Sequence, residues 1–189
     1  MTEKEIIAIL DSTGARQTGH FLLTSGRHSG EYMQCAKLFV NPKISERLCF
    51  ALAKKIKDLK VDYVVSPALG GILMGYELAR ALGCDNYFAE RVDSTFALRR
   101  GFTLKQGEKV IVAEDVITTG GSVKEVIELV RSQGAEVIGV AVIVDRSGGT
   151  IDFGIPLYSL WQTNIATYDK GSCPLCQTGL PLVKPGSRQ

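Results

Sequence analysis

The run Val110-Ile111-Val112-Ala113-Glu114-Asp115-Val116-Ile117-Thr118-Thr119-Gly120-Gly121-Ser122 sets two acids, three hydroxyls and two glycines at the end of an apolar segment. The helical pattern Val123, Val126, Ile127, Val130 follows it. Residues Thr119 to Ser122 would expose backbone N–H groups at a helix N-terminus, where the helix dipole favours an anion. Gly120 and Gly121 let the backbone approach a phosphate with no side chain between. Glu114 and Asp115 would repel that phosphate, so they must face sugar hydroxyls or a cation. A phosphorylated sugar satisfies both halves.

Two commoner nucleotide loops are excluded. A Walker loop needs a lysine before its Ser/Thr, and Gly121 stands before Ser122. Gly70, Gly71 and Gly75 follow a strand-like run, with Glu90 about twenty residues on, but their spacing departs from the dinucleotide fingerprint.

The elements that must position these groups follow from periodicity. Thr2 with Glu5 forms a capping-box pattern before Ile6, Ile7, Ile9 and Leu10. Strand-like runs Gly19–Leu23 and Tyr32–Cys35 are joined by Ser25 to Gly30. Pro42 opens a helix to about Leu59, with Ile44, Leu48, Leu52 and Ile56 on one face. Then strands and helices alternate: strand Val61–Ser66, helix Gly71–Leu82, strands Asn86–Ala89 and Lys109–Glu114, helix Ser122–Gln133, strand Val137–Asp145. Such alternation predicts an α/β fold, a parallel sheet flanked by helices. The expected organisation is one domain over 1–189: a small hood subdomain from about 1–40 with the C-terminal tail, and a core of about 41–165. In such sheets ligands sit beyond the carboxyl ends of the strands. Ser66 to Gly71, Glu114 to Ser122 and Asp145-Arg146-Ser147 are the polar or glycine-rich segments expected to converge there. The tail from Pro181 to Gln189, polar with two prolines, is expected to fray.

Composition narrows the function classes. The chain of 189 residues is 45% hydrophobic and 22% charged, with a net charge of +2. No bulk basic field argues for nucleic acid, and no apolar run approaches the ~20 residues of a membrane span. Met1-Thr2-Glu3-Lys4-Glu5 is too acidic for a signal peptide. Five cysteines, scattered except for Cys173 and Cys176, suit a reducing cytoplasm. Cys173-Pro174-Leu175-Cys176 has zinc-knuckle spacing, but structural zinc wants four ligands. No second pair adjoins it; Cys35, Cys49, Cys84, His20 and His28 are scattered in sequence. A structural or incidental role is therefore expected, and no metal-binding residue is assigned.

Residues 111–123 resemble the phosphoribosyl-pyrophosphate signature of type I phosphoribosyltransferases, and closely that of the orotate phosphoribosyltransferases. The resemblance extends to Phe21-Leu22-Leu23-Thr24-Ser25-Gly26-Arg27-His28-Ser29 and to Val144-Asp145-Arg146. It implies transfer of phosphoribose from 5-phosphoribosyl 1-pyrophosphate to orotate, with Mg²⁺ as cofactor and a homodimer as the assembly. By the same resemblance, Glu114, Asp115, Val116, Ile117, Thr118, Thr119, Gly120, Gly121 and Ser122 bind phosphoribosyl pyrophosphate. Thr118 and Arg146 bind orotate, Ser66 to Gly71 bind pyrophosphate, and Glu114, Asp115 and Arg91 carry catalysis.

The chain departs from the family pattern in three places. Leu69 and Gly70 stand where relatives often carry tyrosine and lysine, Val92 where the lid has a lysine after its arginine, and Thr24 where many relatives have lysine. Arg99, Arg100 or Lys105 are the candidates to restore charge on the lid. These departures imply a divergent branch. A purine phosphoribosyltransferase is the rival within the enzyme class, opposed by the hood motif and Arg146. A non-catalytic regulator binding phosphoribosyl pyrophosphate is the rival outside it, opposed by the lack of a DNA-binding domain or a basic RNA-binding face.

Overall fold

The capping box at the start of the chain forms: Thr2 N donates to Glu5 Oε2 at 2.7 Å and Glu5 N donates to Thr2 Oγ1 at 3.3 Å. It opens helix α1 (Glu3–Ser12), which buries Ile6, Ile9 and Leu10. The computed structural model describes residues 1–185. Strands β1 (Arg16–Leu22) and β2 (His28–Met33) make an antiparallel hairpin. Both begin earlier than the apolar runs suggest, because cross-strand pairing recruits the polar residues Arg16 to Thr18 and His28 to Glu31 into the ladder. Helix α2 (Pro42–Ile56) starts from an Asn41 cap with proline in its first turn and ends before the expected Leu59.

A doubly covered sheet then builds from β3 (Tyr63–Pro67), β4 (Asp85–Val92), β5 (Thr95–Leu98), β6 (Lys109–Ile117), β7 (Glu136–Asp145) and β8 (Leu157–Gln162). Their order is β5-β4-β3-β6-β7-β8, parallel throughout except for the edge strand β5. Helix α3 (Gly71–Leu82) joins α1 and α2 over one face, where Ile111, Ala113, Ala141 and Ile143 point. Helix α4 (Gly121–Ser132) covers the other face, onto Val110, Val112, Val140 and Val142. Burial on both faces is why β6 and β7 read as unbroken apolar runs rather than alternating ones. Gly75 permits α3 to lie close on the sheet: a Cβ there would meet Ser66 Oγ at 2.6 Å and Asn86 Oδ1 at 2.9 Å.

The tail departs from expectation. Part of it pairs instead of fraying: β10 (Leu182–Val183) joins β1, and upstream of the tail β9 (Thr167–Tyr168) joins β2, giving a second sheet ordered β10-β1-β2-β9. Arg27 fixes the same segment, donating from Nε to Thr167 Oγ1 at 2.9 Å and from Nη1 to Asp169 Oδ1 at 2.6 Å. These are long-range partners for residues whose local sequence looks like loop. The end of the tail, 186–189, lies outside the described residues. No helix among the described residues is long and apolar enough to cross a membrane.

Candidate functional site

Strand β6 runs through the acid pair to Ile117 instead of ending at Glu114, because Val116 and Ile117 continue the ladder against Val144 and Asp145 of β7. The acids are therefore held by the sheet. Both carboxylates face the start of α3: a Cβ on Gly70 would lie 3.8 Å from Asp115 Oδ1 and 3.9 Å from Glu114 Oε1. At Gly71 a side chain would be crowded, since a Cβ would meet Glu114 Oε1 at 3.0 Å and Pro67 Cδ at 3.2 Å. The loop Ser66 to Gly71 and the acid pair thus form one wall. No ion pair reaches either carboxylate among the described residues. Burial, then repulsion from Asp115, pushes Glu114 up to about 8, and burial raises Asp115 as well. Carboxyls so displaced are chemically suited to hydroxyl donors or a cation.

Beyond β6 the chain turns through Thr118 and Thr119 to Gly120, whose φ of +71° opens α4 with no side-chain cap. The first backbone bond of the helix is Lys124 N to Gly120 O at 2.9 Å. The N–H groups of Gly121, Ser122 and Val123 in its first turn are left facing out, as in any helix start. Together with Arg91, Glu114 and Glu125 they line a cleft of about 310 Å³. Its floor of N–H groups suits a phosphate.

A second cleft of about 820 Å³ adjoins it and shares Thr118 and Thr119. Its far wall comes from Leu22 to Gly26, and its sides from Tyr32, Gln34, Thr167 and Arg146. Arg146 follows β7 directly, its N–H held by Ile117 O at 2.9 Å, while Asp145 Oδ1 accepts from Ser147 N at 2.8 Å. Arg146 is half-buried, and its Nε is fully enclosed with no acceptor among the described residues. Burial depresses its pKa, yet a guanidinium keeps its charge. A buried donor of this kind costs stability until an acceptor arrives.

The lid segment is the hairpin β4–β5. Arg91 reaches the phosphate cleft, but Glu125 of α4 holds it through two contacts of 3.0 Å, and it lies over Phe96 at 4.2 Å. Arg91 also donates to Ser94 O. Arg100 is paired in the same two-pronged way with Glu90, at 2.9 Å for each bond. Among the described residues Arg99 and Lys105 are exposed and make no ion pair. The structure therefore gathers Glu114, Val116 to Ser122, Arg91 and Arg146 around two joined clefts, while Asp115 lines neither and is buried beside Glu114 against the start of α3. Sequence reasoning missed Tyr32, Gln34 and Thr167 in the second cleft. Thr167 becomes visible only once β9 is known to pair.

Comparison with known proteins shows the family. The model of the phosphoribosyl transferase domain matches residues 37–160. An orotate phosphoribosyltransferase of Caldanaerobacter subterraneus subsp. tengcongensis is 54% identical over all of both chains. Among solved structures, the orotate phosphoribosyltransferase of Aeropyrum pernix superposes with a TM-score of 0.70 at 26% identity, covering 83% of this chain and 93% of that one. An adenine phosphoribosyltransferase of Rhodothermus marinus has a TM-score of 0.65 at 17% identity, over 82% and 99%; this second likeness speaks for the fold alone. With full-length identity above one half on one side and two joined clefts at the strand ends on the other, the chain belongs to the orotate phosphoribosyltransferases of the phosphoribosyl transferase family.

Proposed function

We propose that the chain transfers phosphoribose from 5-phosphoribosyl 1-pyrophosphate to N1 of orotate, giving orotidine 5′-phosphate and pyrophosphate. The observation that carries the choice of base is the enclosed Nε of Arg146, without an acceptor among the described residues, in the cleft beside the phosphate cradle. A guanidinium fork matches a carboxylate, and orotate carries one. The 5′-phosphate sits on the N–H groups of Thr118 to Ser122, and the ribose hydroxyls meet Glu114 and Asp115. The pyrophosphate lies against Ser66 to Gly71, and the base enters between the hood hairpin and Arg146.

No nucleophilic side chain is required. As the glycosidic bond to pyrophosphate lengthens, positive charge gathers at the anomeric carbon and its ring oxygen. Two carboxylates on the ribose side favour that charge, and the fixed cradle holds the carbon in line with N1 of the base. The donor set also fits Mg²⁺, since buried carboxylate oxygens without a cation are hard ligands in need of charge. Glu114 and Asp115 would hold the ion by way of the ribose hydroxyls. When bound it neutralises charge on the departing pyrophosphate.

The assembly we infer is a homodimer. Leu69 of the pyrophosphate loop and Leu73 and Tyr76 of α3 are 85%, 56% and 59% exposed, so exposed apolar side chains run from the loop onto the first turns of the helix. An apolar stripe of that kind calls for a protein partner. We place the enzyme in the cytoplasm, where the five thiols stay reduced.

Lid chemistry is testable through charge. A cationic clamp on a leaving group acts more on the transition state than on the bound substrate. Single alanine variants of Arg91, Arg99, Arg100 and Lys105 are expected to lower kcat more than they raise KM in at least Arg91 and one other. Full activity in all four would make the hairpin an ordinary surface.

The reaction itself is tested by pyrophosphate release with orotate beside hypoxanthine, adenine and uracil. Release with orotate alone is expected. Turnover of a purine instead would reassign the base, and no turnover of any base, with phosphoribosyl pyrophosphate still bound, would leave a binding protein.

A further inference from the structure

The hood sheet closes around four side chains that the reaction does not use. His20 lies on β1 and His28 on β2, while Cys173 and Cys176 lie in the tail between β9 and β10. One ligand atom from each falls within 4.8 Å of all the others. Cys173 Sγ is 3.7 Å from His20 Nε2, and Cys176 Sγ is 3.8 Å from His20 Nε2 and 3.4 Å from His28 Nδ1. Bond lengths of about 2.0–2.1 Å to nitrogen and about 2.3 Å to sulfur give a tetrahedral zinc site edges of roughly 3.3–3.8 Å. The three nitrogen–sulfur distances lie on those edges. His20 Nε2 and His28 Nδ1 are closer, at 2.9 Å, and need to part by about 0.4 Å to reach the same edge.

We propose that His20, His28, Cys173 and Cys176 form a structural zinc site that fastens the C-terminal tail to the hood hairpin. The sequence offered only one Cys pair and therefore no metal; the hairpin supplies the second pair by bringing two strands together.

Three features select zinc over an incidental cluster. First, Leu180 O lies 3.1 Å from His20 Nδ1. With the proton on Nδ1 donated to that carbonyl, the bare lone pair of Nε2 points into the cluster, the outer-shell arrangement that ligating histidines use. Second, His20, His28 and Cys173 are 4%, 2% and 2% exposed, and all the cysteines are free thiols. Two buried imidazoles facing two thiols, with no carboxylate among them, form a closed N₂S₂ set. That set suits a soft-to-borderline tetrahedral ion and leaves no open position for catalysis. Third, the tail needs a fastening. β9 and β10 are two residues long and each is held by two pairings, His28–Tyr168 with Ser29–Thr167 and His20–Leu182 with Phe21–Val183. Strands so short hold weakly alone. Both histidines occur in those pairings, so one ion would clamp both edges of the hood sheet. The tail it clamps also supplies Thr167 and Lys184 to the base cleft, so loss of zinc should loosen that wall while sparing the phosphate cradle.

The test is metal analysis of untagged protein purified under reductant and without chelator. About one zinc per chain is expected, falling to a small fraction in Cys176→Ser, whose exposed position spares the fold, and in His28→Gln. Wild-type protein reloaded with Co²⁺ should show the thiolate charge-transfer band and intense visible bands of a tetrahedral N₂S₂ site, and Cys176→Ser should lose them. A strong chelator should lower the melting temperature of wild type and leave Cys176→Ser unmoved. The proposal is overturned if wild type holds little zinc even after refolding with the ion. It is equally overturned if Cys176→Ser keeps a full zinc complement, or if Cys173 and Cys176 are disulfide-bonded in the reduced preparation. None of these readouts depends on which base the enzyme accepts.

Discussion

Replacing Arg146 with alanine is expected to raise the KM for orotate by roughly 10- to 150-fold, the worth of about 1.5–3 kcal/mol for a hydrogen bond to a charged group. Binding of phosphoribosyl pyrophosphate should change little. The contrast arises from position. Arg146 lines the cleft between the hood hairpin and β7, while the cradle of Thr118 to Ser122 and the acid pair stand on β6 and α4. Its Nε has no acceptor among the described residues, so the unliganded enzyme already bears the cost of that burial and the incoming carboxylate collects the return. Arg146→Lys should recover only part of the loss, because an ammonium restores charge without the planar fork. Paired titrations of both ligands on wild type and the alanine variant decide the matter. Equal losses for both ligands, or no loss for orotate, would remove Arg146 from the base site and reopen the purine alternative.

The strand end and helix start around the acid pair were legible in the sequence because their logic is local. A strand buried on both faces, two acids and a Gly-Gly helix start are consecutive, and hydrophobic periodicity bounds them on both sides. The same holds for α3, whose expected span Gly71–Leu82 matches the structure. What escaped was long-range. β10 in the polar tail and β9 upstream of it are pairs of residues ordered only by hydrogen bonds to β1 and β2. His20 and His28 look unrelated until the hairpin folds, and Cys173 joins them from 153 residues away. Ion pairing was equally hidden. Arg91 and Arg100 read as free lid cations in sequence, yet Glu125 and Glu90 engage them. The fold neighbours include both orotate and adenine enzymes, so the sheet by itself does not decide the base.

The double change Glu114→Gln, Asp115→Asn should abolish most turnover while making the unliganded protein more stable at alkaline pH. The acids' places in sequence, at a strand end facing a ligand, suggest no effect on folding; the structure revises that. Both carboxyls are packed against the start of α3 without a cationic partner, and Glu114 is raised from 4.5 to about 8. A carboxyl whose folded value lies above its unfolded one favours the fold while protonated and opposes it once ionised. Wild type without ligand should therefore lose stability as pH climbs from about 4.5 through about 8, by an amount on the order of 4 kcal/mol. The amide variant has no such charges to bury. Its melting temperature should match wild type near pH 5 and exceed it near pH 8 by roughly 8–16 °C, at about 2–4 °C per kcal/mol for a chain of this size. Adding phosphoribosyl pyrophosphate with Mg²⁺ should close the gap by stabilising wild type selectively, since hydroxyls and cation favour the ionised pair. Activity should fall by about 10²-fold or more, because amides cannot supply the negative charge that the transition state draws on. Thermal melts across this pH range with and without ligand, alongside turnover, separate the two roles. A folded double variant with near wild-type turnover would take the acid pair out of the reaction. A pH-independent difference in melting temperature would show that its ionisation carries no burden in the fold.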